Sequence, residues 1–263
     1  MAVELWLLNN LSTLSTATVL VGGLVVLTLA GNVLVHRRFP SLAEGEHNDM
    51  VGVVLGMFGA IYGIILAFVV VTLWTQLQAA DGVVANEASD LAQIVRTVRA
   101  LPPDQQQRIE TAIGDYAHTV VEVQWPLMRE GRPDYAASQT QIDKIYTVLQ
   151  AYEPKTESQK AFYAQTIERL NDVVAQRRAR ITQSQQELPL LLRCLVYGGA
   201  LVMVPLTFLY GNKNGGVRLL FAGSVAALIG FSLLLVVVLD RPFAGDISVS
   251  PDAFKEGALA QFW

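Results

Sequence analysis

Cysteine, histidine and charge are all scarce in this sequence, and each scarcity removes a class of function. The single cysteine, Cys194, lies in an apolar segment, so neither a disulfide framework nor a thiolate metal site can be written, and it reads as a small buried hydrophobe. The three histidines, His36, His47 and His118, are scattered, and no two of them have the spacing of a helical metal site. Charged residues make up only 16% of the chain and the net charge is -4, with no basic patch interleaved with aromatics, so a nucleic-acid partner is not expected. There is no Gly-x-Ser-x-Gly elbow, no phosphate-binding Gly-Lys loop and no dinucleotide fingerprint. GNKNGGVR has the glycines of such a loop, but it joins two apolar runs without a preceding strand and reads as a tight turn. The chain is therefore not expected to be an enzyme, and it implies no cofactor and no metal.

What abounds is apolar sequence. Hydrophobic residues are 52% of the 263, and the mean hydropathy is +0.38. A spanning helix needs roughly 20 mostly apolar residues, and four stretches reach that length: about 13–35, 50–77, 190–210 and 218–239. The first is too long for the apolar region of a signal peptide, and only Glu4 carries charge before it, so it reads as a retained membrane helix. The spans pair into hairpins through HRRFPSLAEGEHND and GNKNGG. Residues 1–77 and 188–240 are thus expected to form two transmembrane hairpins, 78–187 an extramembrane domain, and 241–263 an interfacial segment.

The insert is helical in pattern. Leu77, Asp81, Val84, Ala88, Leu91, Val95 and Val98 alternate spacings of four and three, a heptad seam running straight out of the second span. Pro102 and Pro103 stop it. Ile109, Ile113, Tyr116, Val120 and Val123 mark a second helix ending near Trp125-Pro126, and Ile142, Ile145, Leu149 and Tyr152 a third. Thr156 and Gln159 form a capping box for a fourth, whose Tyr163, Ile167, Leu170, Val174, Arg177, Ile181, Ser184 and Leu188 lead into the third span. The fold class is therefore an all-α integral membrane protein. Four transmembrane helices in two hairpins flank an inserted helical bundle, and its stalk continues spans 2 and 3. The seam is compatible with packing inside the bundle and with an oligomer contact.

Three groups of residues are candidates for function. Gly52, Gly56, Gly59, Gly63 and Ala67 on the second span form a small-residue face suited to close helix packing or to lining a pore. Asp240, Arg241 and Phe243 follow the fourth span, where Pro242 ends the helix. They are expected at the lipid–water boundary, either as a clamp in which Arg241 meets Glu87 or Glu122, or as a pore mouth favouring anions. Asp81, Glu87 and Asp90 on the stalk make either a solvated face or an acidic ring around an oligomer axis. Asn32, near the end of the first span, reads as hydrogen-bonding glue, and no Asp, Glu or Lys stands in the middle of a span.

The ordered set EHNDMVGVVLGMFGAIYGIILAF, NEASDL, VQWP, RRARI and LDRPFAGDISVSPDAF, from about 47 to 254, resembles the DUF4239 family of bacterial membrane proteins, described as bestrophin-like. Bestrophins are pentameric anion channels with four membrane helices per subunit and a large helical cytosolic region. The resemblance implies a homo-oligomer, five subunits being the bestrophin number, in the bacterial inner membrane, passing an inorganic anion. The alternative is a non-conducting scaffold or sensor whose helical domain binds a protein partner. Sidedness divides the arguments. Arg37, Arg38, Lys213 and Arg218 in the short loops favour an extracytoplasmic bundle by the positive-inside rule, and that side is the expectation, whereas the bestrophin-like plan puts it in the cytosol.

Overall fold

In the computed structural model, four helical stretches are long and apolar enough to cross a membrane: Thr13–Arg38, Asn48–Ala100, Leu190–Leu209 and Gly215–Leu239. The model describes residues 2–263, with the side chains of residues 2, 3 and 43 left aside. The helices in chain order are α1 (Ala2–Asn10), α2 (Thr13–Ala17), α3 (Gly23–Arg38), α4 (Asn48–Thr97), α5 (Pro103–Thr119), α6 (Trp125–Arg129), α7 (Gln139–Gln150), α8 (Glu157–Ser184), α9 (Leu190–Leu206) and α10 (Gly215–Leu239). No strand occurs among the described residues. The chain divides into two units, Met1–Thr75 with Glu187–Asp240, and Gln76–Gln186 with Arg241–Trp263.

In the first unit, α10 packs on α3 through small residues. A Cβ built on Gly223 would lie 3.5 Å from Leu29 of α3, and one on Gly230 would lie 3.1 Å from Val21 Cα in the π-helical turn Thr18–Gly22 just ahead of α3, so glycine lets the backbones approach. The second span meets α9 where Gly199 faces the Tyr62 ring, whose hydroxyl donates to the Val196 carbonyl oxygen at 2.7 Å. α10 begins at Gly215, ahead of the sequence expectation, because the Asn214 side chain accepts from the backbone N–H groups of Gly216 and Val217. Pro205 falls in the last turn of α9, which tightens into a 3-10 turn over Thr207–Leu209, so the proline ends the helix and does not kink its middle. Cys194 is exposed, not buried as its apolar setting suggested.

In the second unit, the seam residues Val84, Ala88, Leu91, Val95 and Val98 are buried in one core with Ile109, Ile113, Tyr116, Ile145, Leu149, Leu170 and Val173. Packing within the unit therefore uses the seam from Val84 to Val98. The Thr156–Gln159 box forms as expected, with Gln159 N donating to Thr156 Oγ1 at 3.1 Å and Thr156 N to Gln159 Oε1 at 3.3 Å. The second bundle helix ends close to Trp125-Pro126, at Arg129. It widens into a π-helical turn, Val120–Gln124, and continues as α6. Pro126 has no N–H to donate, and the widened turn just before it is where the hydrogen-bond ladder changes register.

Candidate functional site

The small-residue face of the second span is open in the single chain. At Gly52, Gly56 and Gly63 an added Cβ would meet nothing within 4 Å, and at Gly59 only Met203 Cε at 3.6 Å. Gly52, Gly56, Gly63 and Ala67 are exposed. Together with Leu66, Phe221, Leu228 and Ser232 they line a groove of about 810 Å3. On α10, by contrast, Gly223 and Gly230 are met by Leu29 and Val21, so small residues in this unit serve two different ends.

The two extremities of this unit are tied by backbone-directed polar side chains. At one, Asn48 does not cap its own helix. Its Nδ2 donates to Gly211 O at 2.7 Å and its Oδ1 accepts from Gly211 N at 2.8 Å, pinning the turn before α10 to the start of α4. Glycine is required there, since a Cβ would stand 2.1 Å from Leu42 O. At the other, Asp240 accepts from Leu188 N at 2.6 Å and from Arg193 Nη2 at 2.9 Å. That explains an acid at the end of a greasy helix: it satisfies an orphan N–H just ahead of α9 and neutralises an arginine in that helix's first turn.

The other two residues expected with Asp240 at the lipid boundary belong to the second unit. Arg241 is buried, and Phe243 is 3% exposed with its ring edge-on to Trp125 at 5.6 Å between centroids. Phe243, Val249, Phe254 and Leu259 of the segment 241–263 lie in the core of the second unit. The cause is the apolar surface around Trp125, which also meets the Phe254 ring at 6.3 Å. Of the carboxylates expected to meet Arg241, Glu122 faces His118 at 3.1 Å and Glu87 is held by Arg180.

The stalk acids do not stand together. Asp81 is exposed, Asp90 mostly buried and Glu87 fully buried, so they form neither a solvated face nor, in the single chain, a ring. Glu87 accepts from Arg180 Nε at 2.7 Å and Nη2 at 3.1 Å, and from the Tyr116 hydroxyl at 2.6 Å. Arg180, also fully buried, donates further to Gln124 Oε1 at 2.9 Å and lies 5.7 Å from the Trp125 ring centroid. The π-helical turn brings Gln124 to this knot. Arg180, Tyr116 and Gln124 were missed as a group. The available signal was RRARI, where a buried heptad position carries an arginine.

Asp90 has Arg169 Nη1 at 3.4 Å. Burial first, and then the nearby Asp172, push its carboxyl above the ordinary range, against the pull of Arg169. A raised native value makes the folded chain hold the proton more tightly. That contribution is complete below the ordinary carboxylate range and is lost as pH rises through the native value. Asp90→Asn is accordingly expected to raise the unfolding midpoint more at pH 7 than at pH 4. Equal shifts at the two pH values would remove this reading.

Among the described residues no three His, Cys, Asp or Glu side chains gather as a metal site. A family model, the Bestrophin-like domain, matches residues 22–254. The chain belongs to the Bestrophin-like family. The expected DUF4239 membership is corrected by that match: the motifs that suggested it lie wholly within the Bestrophin-like domain. Two solved structures agree in fold. One is a membrane protein crystallised as a proline-to-alanine variant, at 13% identity and a TM-score of 0.65, with 90% of this chain and 95% of that one covered. The other is a bacterial bestrophin homolog from Klebsiella pneumoniae with a leucine-to-threonine mutation, also at 13% identity, with a TM-score of 0.63 and coverage of 90% and 96%. No curated protein matches the chain. The chain is thus an all-α, four-span, multi-pass membrane protein of bestrophin-like architecture, with a helical-bundle extension.

Proposed function

We propose that this Bestrophin-like protein is a homo-oligomeric channel of the bacterial inner membrane that prefers inorganic anions. The observation that carries the reading is the open glycine face of the second span, which no helix of the same chain fills. Subunits arranged about an axis would turn that face to a lumen or to a neighbour, and five is the number the bestrophin resemblance implies. Anion preference draws on the same resemblance and on the lack of carboxylates in the middle of the spans, which removes the usual attraction for cations.

The bestrophin-like plan places the bundle in the cytoplasm. This reading sets the plan above the short-loop cations Arg37, Arg38, Lys213 and Arg218, whose charge favours the opposite side. The test is ion flux in proteoliposomes holding the purified chain, with mass measured in detergent. Thiol labelling of Glu130→Cys in a Cys194→Ser background reports the side. Chloride flux exceeding potassium flux, from a particle several times 28.7 kDa, is expected, with labelling only after the cells are opened. A monomer, or an oligomer that stays sealed under varied voltage, pH and calcium, would overturn the channel, and labelling of intact spheroplasts would reverse its orientation.

A further inference from the structure

Near the end of α3, Asn32 is fully buried and its amide is only half used. Its Oδ1 accepts from Arg218 Nε at 2.9 Å. A guanidinium can only donate, so this bond fixes the amide's orientation and turns Nδ2 the other way. Nδ2 has no acceptor among the described residues. One turn further, His36 is 7% exposed, and its Nδ1 lies 3.0 Å from the Asn32 carbonyl oxygen. A carbonyl only accepts, so Nδ1 carries a proton; in the neutral ring Nε2 then presents a lone pair, and Nε2 too lacks a partner among the described residues.

The large majority of buried side-chain polar atoms in proteins are hydrogen-bonded. Two orphans one helical turn apart on the same face, beside a guanidinium, make a coherent demand. They offer donors from Asn32, a positive fork from Arg218 and one acceptor from His36. The complement is an oxyanion that also carries a hydroxyl. We infer that Asn32, His36 and Arg218 bind a phosphate bearing a free P–OH, its charged oxygens on Asn32 and Arg218 and its hydroxyl donating to His36. The surroundings agree in sign. Arg218 lies in the first turn of α10, the positive end of that helix, and Arg37 and Arg38 end α3, while the acids of the adjoining loop, Glu44, Glu46 and Asp49, are exposed.

Two sources share this chemistry: inorganic phosphate, and the monoester headgroup of phosphatidic acid, which lies at the depth of a span's end. The site does not depend on conduction. The test uses the full chain and the variant Asn32→Asp, which keeps an oxygen for Arg218 and replaces the donor by a repelling carboxylate. Calorimetry with inorganic phosphate and native mass spectrometry from nanodiscs containing phosphatidic acid or phosphatidylglycerol separate the sources. Wild type should bind one of them, phosphatidic acid in preference to phosphatidylglycerol in the lipid case, and Asn32→Asp should weaken it at least about tenfold, the loss expected of a buried charge-assisted contact. Should that variant not fold, Arg218→Gln should show the same loss. Binding of neither ligand by wild type, or equal binding by the folded variant, overturns the site.

Discussion

Replacing Arg180 with methionine is expected to destabilise the helical unit by about 3–5 kcal/mol, the usual loss when one partner of a buried ion pair is removed. Both partners are fully buried, so solvent screening does not dilute the effect. Burial alone would loosen the guanidinium's hold on its proton, but the Glu87 carboxylate outweighs it and pushes the pKa up. Burial, with Glu87 beside it, raises the Tyr116 phenol well above its ordinary value, so that hydroxyl stays a donor. Without Arg180, Glu87 keeps only Tyr116 and must either remain as a buried, nearly unpaired carboxylate or take up a proton. The double variant Arg180→Met with Glu87→Leu removes both charges and should return to within about 1–2 kcal/mol of wild type, because apolar replacements often match such pairs. Chemical denaturation of the three proteins measures both values. A single variant as stable as wild type would show that the knot contributes little, and a double variant no better than the single would assign the loss to packing.

This knot also shows where sequence reading stops. The heptad spacing found the seam through Val84, Ala88, Leu91 and Val95, and the structure buries all four. The same spacing sets Glu87 seven residues from both Ala80 and Ile94, each fully buried, so the register alone argued against a solvated Glu87. Arg180 likewise falls in step with Thr166 and Val173. Taking the Glu87 charge as a sign of exposure fails because two opposite charges at inward positions can pair. The π-helical turn left no such trace, since its effect, bringing Gln124 to Arg180, depends on packing between distant segments. The end of α10 at Leu239 was legible from Pro242, whereas the burial of Phe243 was not, because its partner Trp125 comes from another helix. Small residues were legible as a face, but the sequence does not tell a filled glycine from an open one. Gly199 and Gly56 look alike, yet only the first has a Tyr62 ring against it.

That difference sets the remaining expectation. Gly56→Leu and Gly63→Leu should leave the folded chain at least as stable as wild type, because the added side chain enters open space and leucine favours a helix over glycine by about 0.8–1 kcal/mol. Both should cut ion flux by about an order of magnitude or more, since a branched side chain on each subunit would crowd a narrow path. Gly199→Leu should do the reverse in kind. A Cβ there would stand 2.2 Å from the Tyr62 ring, so the ring must move and its 2.7 Å bond to Val196 is lost. Overpacking of about 1–3 kcal/mol adds to the roughly 1 kcal/mol of that bond, and the unfolding midpoint should fall. Detergent mass then separates the two uses of the α4 face. Lost flux from an intact oligomer means that the glycines line the path, and lost flux with a reduced mass means that they seat a neighbouring subunit. If both α4 variants keep wild-type flux and mass, the open face serves neither purpose, and the channel reading loses the observation that carries it.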